Sequence, residues 1–390
     1  MSPQDQLDAL RRGCAEIISE ADLLERLQAN RPLRVKLGLD PTAPHIHLGF
    51  AVVLRKLRQF QDFGHQVILL IGDFTARVGD PTGRSETRKV LTPEEIEANA
   101  RTYREQFSLI LDPDKTEVRF NSEWLMPMKF ADVVELASKY TVARIMERDD
   151  FNNRFREGVP ISLHELLYPL MQGYDSVALQ SDVEMGGTDQ KFNNLVGRNL
   201  QREVGQPPQV VFLMPILEGL DGVQKMSKSL GNYVGITEAP GEMFGKLMSL
   251  PDALMERYFE LCTCVDMAEV KRRLARDHPR DNKRWLGREV VTLYHDAEKA
   301  RHADEEFLRV FSQREVPEDM EELRVESPIG VVALLTRAGL AGSNREARSK
   351  VEQGAVSLDG EKITDPRTSL DVHDGAVLKV SRHFRRLRPA

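Results

Sequence analysis

The sequence has few cysteines, and this shortage excludes two kinds of protein. Cys14, Cys262 and Cys264 are the only cysteines in 390 residues, too few for a disulfide framework. Cys262 and Cys264 also lack the second pair of ligands that a structural zinc site requires. We therefore predict a protein of the reducing cytoplasm, without a protein-built metal site.

Long apolar segments are also missing. Met1 to Arg12 alternates polar and charged residues and has no apolar core typical of a signal peptide. The densest apolar run, Val67 to Ile71, is far shorter than the roughly 20 residues that cross a bilayer. We expect a chain that is neither secreted nor embedded in a membrane.

What the sequence does have is ordinary globular composition. Hydrophobic residues make up 41% and charged residues 29%, which is too apolar for a disordered chain. A length of 390 residues predicts about two to four domains, one of them large enough for a complete α/β core.

Charge is divided unevenly along the chain. Residues 327–390 contain eleven Lys or Arg and seven Asp or Glu, a net charge of +4. Because the whole chain carries −7, residues 1–326 carry −11. A basic unit attached to an acidic body indicates contact with a polyanion, although a solvated charged face explains the count equally well on charge alone.

Periodicity predicts a parallel α/β sheet in the first half of the chain. A strand at Leu33 to Leu39, a helix from His47 to Phe63 and a strand at Gln66 to Gly72 form a βαβ unit. Two more apolar segments, Val183 to Met185 and Gln209 to Met214, alternate with helical stretches. We predict a doubly wound, Rossmann-like sheet whose ligand lies at the carboxyl ends of the strands.

Composition divides the rest of the chain. A helical stretch in the first half carries apolar residues such as Leu136, Val142 and Ile145, which fit either plain core or contact with a second subunit. The acidic segment before the basic tail is typical of a solvated linker. The predicted parts are a catalytic domain at 1–236 with a helical insertion near 125–157, a helical domain at 237–315, a linker at 316–326, and an α+β module at 327–390.

The segment Asp40 to Phe50 joins the first strand to its helix and contains a His-x-Gly step at the helix start. The free N–H groups and positive dipole end of a helix start attract phosphate. Gly49, one turn inside, leaves room for a flat base or ribose beside the backbone. Taken alone, the segment also fits an incidental turn capped by His47.

A second segment, Lys225 to Asn232, reads Lys-Met-Ser-Lys-Ser-Leu-Gly-Asn and is expected on a mobile loop. Lys225 and Lys228 can close on a triphosphate and follow the charge as it moves onto the leaving group. Lysine and serine loops are common on surfaces. Their combination with an upstream His-x-Gly helix start is not common, and it resembles the HIGH and KMSKS signatures of class I aminoacyl-tRNA synthetases.

A helix in the middle of the chain narrows the resemblance. Tyr168, Gln172 and Asp175 are spaced i, i+4 and i+7, so they share one helix face, and Gly186 to Gln190 follows them. A helix with a polar face is the structural alternative. Beside the two signatures, the pattern resembles the tyrosyl-tRNA synthetases over nearly the whole chain, as do Asp40-Pro41-Thr42 and Gly79-Asp80-Pro81-Thr82-Gly83.

Three residues depart from the pattern of the tyrosyl-tRNA synthetases. The tail of the chain, in contrast, supports the resemblance to this family. Phe50 stands where His or Asn is usual, so a ribose contact is missing or replaced. Lys36 replaces a tyrosine and Glu184 replaces a glutamine, which resembles the second bacterial subtype. Residues from Gly339 to Gly360 resemble the small RNA-binding module at the carboxyl end of bacterial members.

The resemblance implies a homodimer that activates L-tyrosine with ATP and Mg²⁺ and then transfers tyrosyl to the 3′ end of tRNA(Tyr). Asp175 would accept from the phenol, whereas phenylalanine would leave that acceptor unpaired. Asp80, Tyr168 and Gln172 would hold the substrate ammonium. The implied catalytic residues are Thr42, His47, Arg84, Arg88, Lys225 and Lys228. The implied ATP contacts are Asp40, His47, Gly49, Phe50, Gly187, Asp189, Met226 and Lys228. The implied tyrosine contacts are Gly38, Asp80, Tyr168, Gln172, Asp175 and Gln190, and the implied tRNA contacts are Arg345, Arg348, Lys350, Arg382 and Arg385.

Several alternatives remain at this point. A tryptophanyl enzyme shares the fold but generally lacks the carboxyl-terminal module. A non-catalytic RNA-binding paralogue would have no reason to retain Lys225 and Lys228, and a small-metabolite adenylyltransferase would not need the basic tail. Arg84 and Arg88, four residues apart, also fit a solvated pair.

Overall fold

The computed structural model describes residues 1–40, 46–79, 92–312, 320–381 and 383–389. They form two compact units, Met1–Ala300 and Arg301–Ala390. In the part of the chain that is described, none of the helices has both the length and the apolarity needed to cross a membrane. Five residues predicted to contact substrates or tRNA lie outside the described ranges: Thr42, Asp80, Arg84, Arg88 and Arg382.

A six-stranded sheet forms the centre of the first unit. It runs in the order β1-β6-β5-β2-β3-β4, and every neighbouring pair is parallel except β1 with β6. The chain passes from β2 to β3 on one side and reaches β5 on the other, so the topological switch point lies between β2 and β5. The strands are β1 (Glu16–Ile18), β2 (Arg34–Leu39), β3 (Gln66–Ile71), β4 (Thr116–Phe120), β5 (Val183–Gly187) and β6 (Val210–Met214).

Helices cover this sheet. Strand β6 is buried at every position and β3 at all but its first, as expected for a parallel sheet with both faces covered. The helices that begin in the first unit are α1 (Pro3–Arg11), α2 (Glu20–Gln28), α3 (Leu48–Asp62), α4 (Pro93–Phe107), α5 (Ser122–Leu125), α6 (Phe130–Ser138), α7 (Val142–Ile145), α8 (Asp149–Arg156), α9 (Leu163–Leu179), α10 (Lys191–Glu203), α11 (Pro240–Met248), α12 (Met255–Cys262), α13 (Met267–Arg276), α14 (Pro279–Tyr294) and α15 (Ala297–Ser312), and most of α15 belongs to the second unit.

Helix α9 lies close to the sheet and to α10. It begins with a capping box formed by Ser162 and Glu165. Gly173 allows the close approach to α10, since a Cβ there would lie 2.9 Å from side-chain atoms of Val196 and Leu200. The face of α9 with Tyr168 and Asp175 is thereby fixed and buried.

The helical insertion is partly core and partly exposed. Leu136 and Ile145 are buried, and Leu136 packs with Leu170 of α9, so for these two residues the plain-core interpretation is correct. Val142 is 63% exposed. Other large apolar side chains that are more than half exposed in this region are Met126, Phe130, Val134, Phe155 and Leu163.

The second unit has its own sheet and its own core. Its strands run in the order β10-β9-β12-β13-β7, with a separate β11-β8 pair. Leu334, Leu378 and Leu387 are among the fully buried residues of its core. The elements are β7 (Glu322–Val325), β8 (Ile329–Gly330), α16 (Val331–Arg337), α17 (Asn344–Glu352), β9 (Val356–Leu358), β10 (Glu361–Ile363), β11 (Ser369–Leu370), β12 (Val377–Val380) and β13 (His383–Pro389).

The fold class predicted from the sequence is confirmed, and the predicted end of the linker is wrong. The linker was predicted to extend to residue 326. Instead, β7 pairs in parallel with β13, and Val325 is fully buried. The acidic composition of this segment obscured a strand whose partner lies about 60 residues downstream.

Candidate active site

A cavity of about 370 Å³ opens at the carboxyl edge of the first sheet. This is where a doubly wound sheet places its ligand, and the lining includes residues at or just after the ends of β2 to β6, together with residues of α3, α4, α9 and the loop that contains Met226. Lys225 and Lys228 are not part of the lining. Twelve of the predicted residues line it: Gly38, Asp40, His47, Gly49, Phe50, Tyr168, Gln172, Asp175, Gly187, Asp189, Gln190 and Met226.

Asp175 is a buried carboxylate held by two neighbouring side chains. Trp124 Nε1 donates to Asp175 Oδ1 at 2.7 Å, and Asn121 Nδ2 donates to Oδ2 at 3.3 Å. Burial raises the pKa of Asp175 to about 7, against the charge of Lys36 and the two hydrogen bonds, which lower it. We call Asp175, Asn121 and Glu184 the Asp175 end of the cavity.

A buried ion pair belongs to the same end. Lys36 and Glu184 lie opposite each other on β2 and β5, and Lys36 Nζ is 2.9 Å from Glu184 Oε1. Ser176 Oγ accepts from Lys36 Nζ at 2.7 Å and donates to Glu184 Oε2 at 3.0 Å, and Gln209 Nε2 also donates to Glu184. These hydrogen bonds offset the cost of removing both charges from water. The charge of Lys36 favours the ionised form of Asp175.

Tyr168 and Gln172 present acceptor oxygens to the cavity. Tyr168 OH donates to Asp40 Oδ2 at 3.0 Å, and Thr75 Oγ1 donates to Asp40 Oδ1 at 2.8 Å. A phenol oxygen that donates its proton can also accept hydrogen bonds. Gln172 Oε1 is buried and has no hydrogen-bond partner among the described residues, while Gln172 Nε2 donates to Gln190 Oε1 at 3.5 Å. This arrangement suits a cationic group of a ligand.

His47 is the N-cap residue of α3 and lies at the other end of the cavity. Burial, and to a lesser degree the charge of Lys228, lower the pKa of His47 to about 4, so the imidazole is neutral at pH 7. Its Nδ1 atom is buried without a hydrogen-bond partner in the described part of the chain. We call His47, Gly49 and Met226 the His47 end of the cavity.

The two signature segments meet at the His47 end. Gly49 N–H donates to Met226 Sδ at 3.2 Å, and Leu48 N–H donates to the Val234 carbonyl at 2.9 Å. A Cβ at position 49 would lie 3.1 Å from His47 Nδ1, so glycine allows this close contact. The start of α3 therefore lies directly against Met226 in the Lys225 to Asn232 loop and against Val234 just after it.

Asn232 fixes the shape of that loop. Its Nδ2 atom donates to Asp221 Oδ2 at 2.5 Å and to the Lys225 carbonyl at 3.2 Å, and its Oδ1 accepts from Ser227 N–H at 2.8 Å. The Lys225 side chain is exposed. Lys228 is partly buried, and this burial lowers the pKa of its ammonium group. The loop thus has a fixed backbone and cations on long side chains.

The predicted tRNA contacts on the second unit differ among themselves. Arg345 and Arg348 are exposed on α17. Lys350 donates to the Leu340 carbonyl at 2.7 Å, and Arg385 pairs with a glutamate at 2.9 Å. The first two are therefore accessible to phosphate, whereas the second two have partners within the unit.

Several residues of the site were not predicted from the sequence. Asn121 and Trp124 contact Asp175, and Thr75 links Asn121 to Asp40, since Thr75 Oγ1 accepts from Asn121 Nδ2 at 3.0 Å. A signal was present, because Asn121 directly follows the last residue of β4, at the edge where ligands bind. Phe50 does line the cavity, and its side chain offers no polar atom.

Known proteins resemble the chain over almost all of its length. The family of class I tRNA synthetases for W and Y matches residues 28–312, and the SYY-like carboxyl-terminal domain of tyrosine–tRNA ligase matches residues 312–379. A tyrosine–tRNA ligase of Moorella thermoacetica is 59% identical, covering 98% of this chain and 95% of the relative. One of Carboxydothermus hydrogenoformans is 57% identical, covering 92% and 91%.

A solved structure agrees with these sequence matches. The tyrosyl-tRNA synthetase of Archaeoglobus fulgidus, crystallised with L-tyrosine, superposes with a TM-score of 0.64 at 25% identity. The superposition covers 77% of this chain and 99% of the Archaeoglobus fulgidus chain.

Proposed function

Because the chain belongs to the tyrosine–tRNA ligases of the class I synthetase family, we propose that its cavity binds L-tyrosine at the Asp175 end and ATP at the His47 end. The enzyme activates tyrosine with ATP and transfers it to tRNA. The observation that carries the assignment of the two ends is the contact of the two signature segments beside a cavity that contains a buried carboxylate. The tryptophanyl alternative is not favoured.

At the Asp175 end, Asp175 accepts from the tyrosine hydroxyl. Trp124 and Asn121 hold the carboxylate in place, so binding tyrosine does not require it to reorient. Phenylalanine would leave the buried carboxylate without that donor, which costs on the order of 1 to 3 kcal/mol or more for a charged group. Tyr168 and Gln172 accept from the substrate ammonium, joined by Asp80 as the family resemblance implies.

At the His47 end, the tyrosine carboxylate attacks the α-phosphorus of ATP and pyrophosphate leaves. The carboxylate is already ionised at pH 7, so the reaction needs no general base. His47 contacts phosphate at the start of α3, joined by Thr42 as the family resemblance implies, and Asp189 accepts from the ribose hydroxyls beside Gly187. Lys225 and Lys228, with Arg84 and Arg88, stabilise the charge that grows on pyrophosphate.

Mg²⁺ would enter with ATP and would be held chiefly by phosphate oxygens and waters. This cation retains several waters in nucleotide sites. The carboxylates of the cavity fit a cation that is held mainly by phosphate and water. Asp40 and Asp175 each accept two hydrogen bonds from protein side chains, and Asp189 is exposed. When bound, the cation supplies charge neutralisation of the phosphates.

The first reaction is tested by tyrosine-dependent exchange between ATP and pyrophosphate, run with all twenty amino acids. We expect exchange with tyrosine only. Exchange with tryptophan, or a failure to exchange with any of the twenty amino acids, would refute the proposed assignment of the Asp175 end. Since Cys14, Cys262 and Cys264 are free thiols, we place this reaction in the reducing cytoplasm.

A homodimer through the helical insertion is the second part of the proposal. Phe130 is 83% exposed and Phe155 71%, and both lie in the insertion near 125–157 with Met126, Val134 and Val142. Exposed apolar side chains in such a group mark an interface. A second copy of the chain would cover them.

Light scattering measures this directly. We expect the wild-type enzyme to have twice the 44.3 kDa mass of the chain at micromolar concentration. Phe130→Glu should shift the mass towards the monomer, whereas Val204→Glu, at another exposed apolar position, should not. A wild-type mass of one chain would contradict the dimer.

The second unit binds tRNA(Tyr) in the proposed mechanism. Arg345 and Arg348 provide exposed cations for backbone phosphates. Removing the chain after Pro317 should leave tyrosine-dependent exchange near the wild-type rate and strongly impair tRNA charging, because the first unit contains the whole cavity. Charging at the full rate by the shortened chain would contradict this role.

A further inference from the structure

A chain of hydrogen bonds joins the helical insertion to Gln190. Arg148 NH1 donates to Asn193 Oδ1 at 2.8 Å, and Asn193 Nδ2 donates to Gln190 Oε1 at 3.0 Å. Arg148 and Asn193 are both buried, and neither lines the cavity, whereas Gln190 does. The chain of contacts therefore runs from protein interior to substrate site.

The direction of these hydrogen bonds is set by Arg148. A guanidinium group only donates, so the Asn193 carbonyl oxygen must face it. The Asn193 amide nitrogen then faces Gln190 and requires an acceptor there, which fixes Gln190 Oε1 on that side. Gln172 Nε2 also donates to the same oxygen. The Gln190 NH₂ group consequently lies on the opposite edge of the amide from the oxygen that faces Asn193.

Arg148 is itself held firmly. Its guanidinium carbon lies 5.0 Å from the ring centroid of Phe151 and 5.6 Å from that of Phe192. Asp150 accepts from Arg148 at 3.0 Å and 2.8 Å through both of its oxygens. A planar cation fixed by two rings and a carboxylate is a suitable anchor for a directional contact.

We propose that Asn193, anchored by Arg148, is a positioning residue for tyrosine activation: it fixes the Gln190 amide so that its NH₂ edge is presented to the anionic oxygens of the reacting carboxylate and α-phosphate. This inference rests on the proposed placement of substrates in the cavity. An amide held with its donor edge towards developing negative charge stabilises the transition state, whereas the reversed amide would oppose it.

The test is a comparison of two substitutions at Asn193. Asn193→Asp keeps the shape of the side chain and the partner of Arg148, but the introduced carboxylate cannot donate to Gln190 Oε1. Gln190 then turns over and presents its oxygen to the substrate. Asn193→Ala only frees the Gln190 amide, so its loss is smaller.

The measurement is the rate constant of tyrosyl adenylate formation at saturating tyrosine and ATP. We expect a loss of about tenfold for Asn193→Ala and about a hundredfold for Asn193→Asp, with little change in tyrosine affinity. A merely structural role predicts the reverse order, because the isosteric substitution disturbs packing less. The reverse order would overturn the proposal.

A double substitution separates this effect from the added negative charge. In a Gln190→Ala background the two Asn193 substitutions should have equal rates, since the residue acts through Gln190. A persistent tenfold difference would show a direct effect of charge and overturn the proposal. Wild-type activity of Gln190→Ala alone would instead refute the proposed role of Gln190 at the substrate, and the proposal with it.

Arg148 provides an independent variant if Asn193→Asp fails to fold. Arg148→Lys keeps a group that only donates and should retain most of the activity. Arg148→Leu removes the anchor and should lower the rate constant about as much as Asn193→Ala. Equal rates for the two Arg148 variants, with equal thermal stability, would also overturn the proposal.

Discussion

The two ends of the cavity are built differently. At the Asp175 end, buried side chains hold one another: Asp175 accepts from Trp124 and Asn121, and Lys36 pairs with Glu184. At the His47 end, contacts between backbone groups and the Asn232 and Met226 side chains set the geometry, and the cations lie on long side chains.

This difference matches two kinds of chemical task. Recognising a neutral hydroxyl requires an acceptor whose position is set before the substrate arrives, since solvent would otherwise compete for it. Stabilising pyrophosphate requires charges that act when the leaving group forms. The comparison predicts that substitutions at one end change selectivity and those at the other change rate.

The largest effect is expected for Asp175→Asn. Tyrosine should lose at least about a hundredfold in kcat/KM, because the hydroxyl loses its charged acceptor. Asp182→Asn is the matched control, since Asp182 is a buried carboxylate outside the cavity that pairs with Arg26 and Arg31 at 2.6 Å. The control should lower thermal stability and leave the choice of amino acid unchanged. A small loss for Asp175→Asn would contradict its role.

Lys228→Ala should have the next largest effect. We expect the rate constant of adenylate formation to fall about tenfold to a hundredfold, with tyrosine affinity unchanged, since the lost charge acts mainly in the transition state. Lys299→Ala removes an exposed cation paired with Asp296 and serves as the control. A raised tyrosine dissociation constant at an unchanged rate would refute the assignment.

The pH dependence separates the ends in the wild-type enzyme. The pKa of Asp175 is raised to about 7, so its carboxylate is lost as pH falls through 7. The kcat/KM for tyrosine should then drop by up to about tenfold per pH unit below 7. The pKa of His47 is lowered to about 4, so His47 should add no transition near the usual histidine value. A flat profile between pH 6 and 8 would contradict this prediction.

Gly38→Ala should have the smallest effect. A Cβ at position 38 meets no atom within 4 Å among the described residues, so the methyl group extends into the cavity. We expect the KM for tyrosine to rise about threefold to tenfold, with thermal stability unchanged. Gly72→Ala is the contrast, because its methyl group would overlap Asp40 and Thr75 and should destabilise the fold. Unchanged tyrosine KM for Gly38→Ala would count against this placement of tyrosine.

Local pattern was sufficient to predict much of the fold. Strand β2, helix α3 and strand β3 begin and end within one residue of their predicted limits, because apolar runs and a helical stripe are visible within a few residues. Strand β7 was missed because its partner, β13, is distant in sequence. The antiparallel edge strand β1 was missed as well.

In the site, too, local spacing was predictable from the sequence and contacts between distant residues were not. Spacing along one helix placed Tyr168, Gln172 and Asp175 together, and all three line the cavity. The contacts of Trp124 and Asn121 with Asp175 join residues about 50 positions apart, and periodicity does not encode such pairs. Lys36 and Glu184 each depart from the usual residue of the family in the sequence. Only the register of β2 with β5 shows that the two side chains pair.

The most direct test of the account is the ratio of tyrosine to phenylalanine activation, measured by pre-steady-state adenylate formation in the wild-type enzyme, Asp175→Asn and Lys228→Ala. The account predicts that Asp175→Asn reduces the ratio by about a hundredfold, whereas Lys228→Ala lowers both rates equally and preserves the ratio. An unchanged ratio in Asp175→Asn, or a reduced ratio in Lys228→Ala, would contradict the division of tasks between the two ends.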